Sequence, residues 1–375
     1  MEDICIYDGD AVISRIVFGH GLSGVAGALA DCTGSGRTLP VYMIYDAHVE
    51  EFVSEVESAV SGIGGLEFCG KYSVVATEEG KTMDTVLDMT GWLLENGADR
   101  NAMVLAVGGG ITTDMAGFAA SIYKRGVRFA YVPTTLLSQV DAAIGGKTGV
   151  NYDSYKNMIG VIRQPEFTYI CPEVLETLPL RDFLSGAAEL VKTFLIEDRG
   201  FYRRSVTFLA GLHGAADKTA FLKGNRHELL ELVRAAASVK AGIVTRDQFE
   251  TGERRKLNLG HTFAHAIEKN ARMAGDDITH GEAVSMGMVM AAELSVKIGL
   301  ARNGFPEALY TDFRSAGLPV DCPYPVSELA EAMSKDKKAE NGTIHFVLLS
   351  SQGHVEIRDM TADRAASLLA CHENA

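Results

Sequence analysis

The fold is decided by a glycine-rich junction near the middle of the chain, which reads Met103-Val104-Leu105-Ala106-Val107-Gly108-Gly109-Gly110-Ile111-Thr112-Thr113-Asp114. Five apolar residues in a row are typical of a buried strand, and the glycines mark a turn into a helix that begins near Ile111. Such a turn lets backbone N–H groups approach a phosphate, and the helix N-terminus adds a favourable dipole. A tight turn that binds nothing explains the glycines equally well, and the pattern is not the GxGxxG fingerprint.

Two stretches before the junction show the same alternation of strand and helix. The β-rich run 41–45 ends in Asp46, and the run 72–75 precedes a helix that we expect to open near Lys81. Strands that alternate with helices predict a parallel α/β sheet. Asp46 at a strand end could accept hydrogen bonds from ribose hydroxyls, and a solvated loop residue is the alternative interpretation. Residues 4–17 are expected to form a hairpin against this sheet.

The pattern changes after about Pro172, where strand signals give way to long amphipathic helices. A chain of 375 residues is longer than one ordinary core, so two domains are expected. We predict an α/β domain with a parallel sheet over 1–172 and a mainly helical domain over 173–375. Near the end, 343–349 and 354–357 flank a glycine turn and predict one more hairpin. The long helices are predicted at roughly 181–196, 226–246, 260–273 and 280–299.

The composition is typical of a soluble globular protein, with 47% hydrophobic and 22% charged residues. A net charge of −14 repels phosphate backbones and anionic bilayers, so neither nucleic acid nor membrane is an expected partner. The start, Met1-Glu2-Asp3-Ile4-Cys5, lacks the pattern of a secretory signal, and no apolar run approaches the roughly 20 residues of a membrane span. We therefore expect a cytoplasmic protein. The six cysteines lie far apart, without a CxxC pair, and are interpreted as buried or incidental thiols.

Residues that could bind a metal ion concentrate in the second half of the chain. His261 and His265 are four positions apart and share one helical face, and His280 opens another predicted helix. Glu189 and Lys192 lie three apart in an apolar helical stretch, where a charge is costly without a partner. Two histidines and one glutamate would leave positions on a zinc-type ion open for substrate oxygens. Core histidines and a structural ion pair are the alternatives.

Basic residues gather around these segments although the chain as a whole is acidic. In a protein of net charge −14, cations beside candidate metal ligands favour a polyanionic small-molecule substrate. Each one taken singly is also typical of a solvated surface. They are Arg125, Lys147, Lys156, Lys192, Lys240, Arg254, Lys337 and Lys338.

A series of sequence blocks then extends through nearly the whole chain. The blocks are Gly108-Gly109-Gly110-Ile111-Thr112-Thr113-Asp114-Met115-Ala116-Gly117-Phe118, Arg125-Gly126, Val132-Pro133-Thr134-Thr135-Leu136-Leu137, Asp141, Gly145-Gly146-Lys147-Thr148, Lys156-Asn157, Thr177-Leu178-Pro179, Glu189-Leu190-Val191-Lys192, Leu257-Asn258-Leu259-Gly260-His261-Thr262-Phe263-Ala264-His265 and His280-Gly281-Glu282-Ala283. In this order they resemble the 3-dehydroquinate synthase family. Several blocks are weak individually, so the resemblance depends on their order.

The resemblance implies a fold, cofactors and a reaction. The fold is a Rossmann-like NAD-binding domain followed by a mainly helical metal-binding domain, in an enzyme that is typically a homodimer. Such an enzyme is a lyase that uses NAD and a divalent metal, normally zinc with cobalt able to substitute. It converts 3-deoxy-D-arabino-heptulosonate 7-phosphate to 3-dehydroquinate and phosphate in the shikimate pathway, which leads to the aromatic amino acids.

The resemblance also implies a role for each matching residue. The metal ligands are Glu189, His261 and His280. The NAD contacts are Asp46, Glu78, Lys81, Gly109, Gly110, Ile111, Asp114, Thr134, Thr135, Lys147, Lys156 and Thr177. The substrate pocket is formed by Arg125, Asp141, Lys147, Asn157, Lys192, Lys240, Arg254, Asn258, His265 and one of Lys337 or Lys338. We expect His265 to move protons near C5, and Lys147, Asn157 and Lys192 to hold the phosphate.

Tyr155, Arg163 and Gln248 depart from the family pattern, which leaves details of loop and NAD packing open. Another sugar-phosphate cyclase, acting on a heptulose 7-phosphate or glucose 6-phosphate, is the nearest alternative. Relatives of that kind tend to differ near Asn258, His265 and the Lys337-Lys338 pair, all of which keep the dehydroquinate pattern here. A metal-dependent polyol or glycerol-phosphate dehydrogenase is the second alternative and would accumulate NADH. A binding protein with an inactive site is the third.

Overall fold

The computed structural model describes residues 2–34, 37–153, 155–197, 200–334 and 343–370. The two candidate substrate lysines Lys337 and Lys338 lie outside the described residues. The chain divides into two compact units, Met1–Leu178 with Lys240–Phe249, and Pro179–Val239 with Glu250–Ala375. The division predicted after residue 172 differs from these units in two respects: the boundary follows Leu178, and residues 240–249 pack with the first unit. The helical pattern of residues 226–246 does not reveal which of the two cores buries the end of that helix.

The first unit alternates strands and helices along most of its length. Its elements are β1 (Ile4–Asp8), β2 (Ala11–Phe18), α1 (Val25–Ala30), β3 (Leu39–Asp46), α2 (Glu50–Ser61), β4 (Leu66–Val74), α3 (Met83–Glu95), β5 (Met103–Gly108), α4 (Gly110–Ile122), β6 (Arg128–Pro133), β7 (Lys147–Tyr152), β8 (Tyr155–Ile162) and β9 (Phe167–Ile170).

Seven of these strands form one sheet in the order β1-β2-β9-β6-β5-β3-β4. Only the β1–β2 pair is antiparallel, and the other pairs are parallel. All six residues of β5 are buried, and Ala106 lies opposite Ile44 of β3 and Tyr131 of β6. A strand that is buried on both faces reads as a continuous apolar run, which is why the junction sequence is decisive.

The parallel α/β fold expected from the sequence is confirmed. The N-terminal hairpin forms as β1 and β2, and the runs 41–45, 72–75 and 103–107 correspond to β3, β4 and β5. The separate β7–β8 hairpin was not predicted. Most of β8 is exposed, so its side chains do not show the alternation that marks a half-buried strand.

The second unit is mainly helical. Its elements are α5 (Leu180–Ile196), α6 (Tyr202–Gly214), α7 (Lys218–Gly224), α8 (Arg226–Arg246, whose last residues belong to the first unit), α9 (His261–Ala274), α10 (His280–Lys297), α11 (Phe305–Ser315), α12 (Val326–Ser334), β10 (Ile344–Ser351), β11 (His354–Met360) and α13 (Ala362–Ala370).

The four long helices predicted here are confirmed as α5, α8, α9 and α10, and the closing hairpin as β10 and β11. Gly260 and Gly275, with φ of 77° and 78°, bound α9 because glycine adopts the left-handed conformation without strain. A capping box of Thr279 and Glu282 begins α10. These local signals place the first residues of α9 and α10, His261 and His280, at defined helix starts.

Among the described residues, no helix is both long and apolar enough to cross a membrane. The five cysteines within the described ranges are all free thiols. Burial raises the pKa of the Cys171 thiol to about 12, with its neighbour Glu173 adding to the shift. Cys171 is therefore an unreactive core residue.

Candidate metal centre and nucleotide-binding edge

Three potential metal ligands converge in the second unit: Glu189 from α5 and the first residues of α9 and α10, His261 and His280. Their ligand atoms lie within 4.8 Å of one another. The Nε2 atoms of His280 and His261 are 3.2 and 3.6 Å from Glu189 Oε1. A tetrahedral zinc ion with bonds of about 2.1 Å separates its ligands by about 3.4 Å. This group, the Glu-His-His centre, therefore fits a zinc-sized ion in donor type and spacing.

The close crossing of α5 and α10 brings His280 beside Glu189. A Cβ on Gly281 would lie 2.1 Å from the backbone oxygen of Ser185, so only glycine permits this approach. The Gly281 N–H donates to Ser185 Oγ over 3.0 Å. Glu189 is one helical turn beyond Ser185, on the same side of α5. The glycine next to the histidine in the sequence is therefore part of how the centre is built.

A second close crossing brings α9 against α10. A Cβ on Gly287 would lie 2.3 Å from the carbonyl oxygen of Gly260, the residue directly before His261. The rings of His261 and His280 lie edge to face with centroids 5.4 Å apart. Small residues at both crossings thus allow three helices to supply one ligand each.

Arg181 at the start of α5 holds the start of α10. Its guanidinium donates two hydrogen bonds of 2.9 Å to the carboxylate of Glu282 and also contacts Asp277. The same carboxylate accepts a hydrogen bond of 2.8 Å from the Thr279 N–H. Bidentate pairing of this kind fixes orientation as well as distance. Sequence reasoning missed Arg181, because its partners lie about a hundred residues away along the chain.

The charges around Glu189 keep its carboxylate ionised. Glu189 is fully buried, and Lys192 beside it is 1% exposed. Burial raises the pKa of the Glu189 carboxyl, but the Lys192 ammonium and the hydrogen bond from His280 outweigh it. The net pKa lies well below the usual range. An ionised carboxylate is the form that binds a metal ion.

The two histidines of the centre differ in their electrostatic surroundings. Burial lowers the pKa of His261 well below its usual value, and the neighbouring Lys192 adds to this effect. Burial also disfavours the charged form of His280, but hydrogen bonds to Glu189 and Glu268 outweigh it and raise its pKa to about 9. A metal ion at the centre would therefore take the place of a proton on His280.

The remaining candidates of the second unit lie before and along α9. The ring of His265 is edge to face with that of His261 at 5.7 Å between centroids. Arg254, which is buried, and Asn258 belong to the 3₁₀ helix Glu253–Asn258. The Asn258 side-chain amide donates to Glu250 Oε1 over 2.8 Å. The structure thus brings His265 to the centre, one turn beyond His261.

Glu268 is a further residue that sequence reasoning missed. Its carboxylate Oε1 lies 3.4 Å from His280 Nδ1. His261, His265 and Glu268 follow one another at spacings of four and three, so they occupy one face of α9. That spacing was visible in the sequence and would have indicated Glu268.

In the first unit, the candidate NAD contacts gather at the carboxyl edge of the sheet. Asp46 ends β3, Gly109 follows β5 and Thr134 follows β6, and these three strands are parallel neighbours. Asp46 Oδ1 accepts hydrogen bonds from the N–H of His48 at 3.1 Å and lies 2.8 Å from its Nδ1. Thr134 Oγ1 is buried and has no hydrogen-bond partner among the described residues. Ligands of open α/β sheets bind at this edge.

The three junction glycines are needed for close packing. None has a positive φ, but Cβ atoms on Gly108, Gly109 and Gly110 would lie 2.7, 3.1 and 3.0 Å from Thr112, Thr135 and Ala142. The start of α4 has no side-chain cap hydrogen bond, so the backbone N–H groups up to Ile111 suit an anion. Close packing at this turn therefore does not exclude phosphate binding by its backbone N–H groups.

A polar network joins residues that are distant in the sequence. Lys81, 4% exposed, donates hydrogen bonds of 2.6 Å to Asp114 Oδ2 and to Asn157 Oδ1. The Asn157 N–H donates to Asn151 Oδ1, and the Asn151 amide donates to Glu78 Oε1 over 2.7 Å. Burial raises the pKa of Asp114, an effect that Lys81 offsets only in part. Asn151 was not singled out from the sequence.

Lys240 and Asp141 form another ion pair among the candidates. Lys240 is 7% exposed, donates to the Asp141 carbonyl oxygen over 2.6 Å and contacts its carboxylate. The two residues are 99 positions apart, although both belong to the first unit. This pair and the hydrogen bond from the Tyr7 N–H to Thr245 Oγ1 connect residues 240–249 to the rest of the unit.

Other candidates are less closely associated with the glycine junction. Gly110 begins α4, which is about 18 Å long at 1.5 Å per residue, and Arg125 ends the 3₁₀ turn that follows the other end of this helix. Lys147 and Lys156 are exposed on β7 and β8. Thr177 donates to the Val174 carbonyl at 3.4 Å. Thr135, in contrast, packs against Gly109 of the junction and contacts Ser138. The structure therefore does not bring Arg125 to the junction.

Comparison with known proteins agrees with this description. The models for the 3-dehydroquinate synthase N-terminal and C-terminal domains match residues 71–185 and 186–339. The 3-dehydroquinate synthase of Acidithiobacillus ferrooxidans is 43% identical over 283 residues, which cover 75% of each chain. That of Rhodopirellula baltica is 39% identical over 352 residues, which cover 92% of this chain and 88% of the other.

Two solved structures superpose on almost the whole chain. The 2-epi-5-epi-valiolone synthase of Streptomyces hygroscopicus subsp. jinggangensis, solved with NAD+ and Zn2+, has a TM-score of 0.81 and 28% identity, with 98% of each chain covered. A 2-deoxy-scyllo-inosose synthase, solved with carbaglucose-6-phosphate, NAD+ and Co2+, has a TM-score of 0.82 at 24% identity, again over 98% of each chain. The second likeness shows the fold alone.

The chain combines a Rossmann-like parallel-sheet unit with a helical unit that contains the Glu-His-His centre. This combination defines the class of the sugar-phosphate cyclases. The family models and curated relatives make the assignment more specific. The chain belongs to the 3-dehydroquinate synthase family, and the resemblance seen in the sequence is confirmed.

Proposed function

We propose that this chain is a 3-dehydroquinate synthase, which converts 3-deoxy-D-arabino-heptulosonate 7-phosphate to 3-dehydroquinate and phosphate in the shikimate pathway. The observation that carries the proposal is the convergence of Glu189, His261 and His280 within a chain that belongs to this family. Two histidines and one carboxylate leave coordination positions for substrate, which is the catalytic and not the structural arrangement.

NAD and one divalent ion, zinc or cobalt, are the proposed cofactors. Asp46 would bind the ribose, and the N–H groups at Gly109 and Gly110 the pyrophosphate. The Thr134 hydroxyl at the same edge, for which the described part of the chain offers no hydrogen-bond partner, supports this placement. When bound, NAD supplies transient hydride transfer at C5 of the substrate, and the ion supplies polarisation of the oxygen there.

The residues of the chain would bind the substrate and move its protons. Asn157 Oδ1 accepts from Lys81, so the amide NH₂ of Asn157 is the group that can donate to a phosphate. Lys147 would add charge for a phosphate, Lys192 remains a candidate phosphate-binding residue of the second unit, and His265 would exchange a proton with the C5 hydroxyl. Holding both ends of the opened substrate makes the final aldol closure unimolecular.

The other residues of the proposed pocket bind the carboxylate and hydroxyls. Arg254 is buried and suits a carboxylate because its planar donors pair with two oxygens. Asn258 and Lys240 would contact hydroxyls. The proposal also includes a cytoplasmic location and a homodimer. Gel filtration with light scattering of the purified protein would test the dimer.

The function is tested by incubating the purified protein with the heptulosonate phosphate, catalytic NAD and zinc. We expect 3-dehydroquinate and phosphate in equal amounts and no net NADH. The matched control is Glu189→Gln, which should be inactive. A cyclitol formed from heptulose 7-phosphate or glucose 6-phosphate, with no turnover of the heptulosonate, would favour another cyclase. Steady accumulation of NADH with a polyol would favour a dehydrogenase.

A further inference from the structure

The imidazole of His280 lies between two carboxylates. Its Nε2 is 3.2 Å from Glu189 Oε1, and its Nδ1 is 3.4 Å from Glu268 Oε1. The second distance is at the long end of the hydrogen-bond range. The two carboxylates approach different ring nitrogens, so Glu268 is not a member of the Glu-His-His centre but stands behind one of its ligands.

Burial makes the position of Glu268 informative. Its side chain is only 9% exposed, and a buried carboxylate is costly unless charges or hydrogen bonds compensate it. At an exposed position of the helix, a neutral residue would serve equally well, so it is the burial of this carboxylate that points to a specific partner. The face of α9 that carries Glu268 also carries His261 and His265, so one helix face presents a ligand, a candidate proton carrier and this carboxylate.

The other histidine of the centre has a comparable arrangement. His261 Nδ1 lies 3.1 Å from the carbonyl oxygen of Leu259, and its Nε2 is directed to Glu189. A carbonyl oxygen can only accept, so it places the proton of a neutral His261 on Nδ1. A neutral imidazole that binds a metal ion through Nε2 must carry its proton on Nδ1, and an acceptor at Nδ1 fixes both tautomer and ring orientation.

We propose that Glu268 is a positioning residue of the metal centre: it accepts the Nδ1 proton of His280 and thereby directs Nε2 to the divalent ion. This inference rests on the proposed function, because it requires Glu189, His261 and His280 to bind that ion. The hydrogen bond that positions His280 should be the stronger of the two, because a carboxylate accepts a stronger hydrogen bond than the backbone carbonyl that positions His261.

The test is the zinc affinity of Glu268→Ala and Glu268→Gln, measured by competition with a chromophoric chelator. Loss of such a support typically weakens metal binding by about 10–100-fold, and we expect this range for the alanine variant. The glutamine variant keeps an acceptor oxygen without the charge, so its loss should be smaller. Lys269→Ala, an exposed neighbour on α9, is the matched control and should bind zinc like the parent chain.

The affinity for NAD separates positioning from general damage to the fold. Its candidate contacts all belong to the first unit, so NAD affinity should be unchanged in all three variants. If Glu268→Ala does not fold, as judged by circular dichroism, the glutamine variant decides. Parental zinc affinity in the folded Glu268 variants would overturn the inference and leave the metal centre intact. A parent chain that binds zinc no better than Glu189→Gln would instead overturn the metal site of the proposed function.

Discussion

At the scale of single residues, the centre depends on a carboxylate that would be unstable by itself. Glu189 is fully buried and pairs with Lys192, also buried, on the next turn of α5. Each charge makes the burial of the other tolerable. Lys192 contacts Oε2 of this carboxylate, and the other oxygen, Oε1, faces the Nε2 atoms of two histidines. Glu189 thus serves stability and ion binding at once.

Replacing Glu189 by glutamine should therefore affect both properties. The neutral amide leaves the Lys192 ammonium buried without its counter-charge, which should cost about 3–5 kcal/mol of unfolding free energy in the metal-free protein. Urea denaturation measures this loss. The matched control is Glu253→Gln, whose ion pair with Lys256 has the same spacing but is partly exposed, and which should lose less than about 1 kcal/mol. Equal losses in the two variants would contradict the role given to burial.

Replacing His265 by alanine should reduce turnover far more than it weakens NAD binding. General acid–base groups contribute about 100-fold to 10,000-fold to rate, so kcat should fall within that range. Steady-state kinetics and NAD titration measure the two effects. His354→Ala, on the exposed end of the closing hairpin, should leave both unchanged. An unaffected rate in the His265 variant would refute its role in proton transfer.

At the scale of elements, the centre is built by two close helix crossings. Gly281 lies against the backbone of Ser185, and Gly287 lies against that of Gly260. Gly281 directly follows the ligand His280, and Gly287 lies against the residue that precedes the ligand His261. At the first of these crossings, the bidentate ion pair between Arg181 and Glu282 also fixes the position of α10 against α5.

A methyl group at the first crossing should disturb both stability and ion binding. In Gly281→Ala the new Cβ would meet backbone atoms of Ser185 at 2.1–2.5 Å, so α10 has to move. Overpacking of this kind costs about 1–3 kcal/mol, and it displaces His280 from Glu189. Thermal unfolding and zinc titration should both show a loss.

Gly91→Ala provides the control, because that glycine lies inside α3 and no atom of the described residues that could clash lies within 4 Å of its added Cβ. There alanine should stabilise the protein by about 0.5–1 kcal/mol through helix propensity. A Gly281→Ala variant that is as stable as the parent and binds zinc equally well would contradict the importance of the crossing.

At the scale of the whole molecule, the two kinds of candidate site belong to different compact units. Every candidate NAD contact lies in the first unit, and all three members of the Glu-His-His centre lie in the second. Each unit has its own buried core, and its own helices or strands present the side chains concerned.

Each cofactor alone should therefore protect a different part of the chain. Zinc at 100 times its Kd should stabilise the state that binds it by about 2.7 kcal/mol, and should slow amide exchange in α5, α9 and α10. NAD should slow exchange at the end of β3 and at the junction of β5 and α4. Hydrogen–deuterium exchange by mass spectrometry measures both patterns. Glu189→Gln should lose the zinc pattern and keep the NAD pattern, and protection of α9 by NAD alone would contradict this assignment.

The sequence by itself determined the parts of this protein that depend on local order. Strand and helix periods, the glycine junction, the helix starts at His261 and His280 and the family blocks are all local patterns, and the structure has the elements that they predict. The spacing of Glu268 on α9 was equally local and was overlooked. The resemblance already implied that Glu189, His261 and His280 meet at one ion. Tertiary structure alone decided other distant pairs: Arg181 with Glu282, 101 positions apart, and Lys240 with Asp141. Such pairs depend on how whole helices and strands pack, and a single sequence contains no periodic signal for contacts between elements.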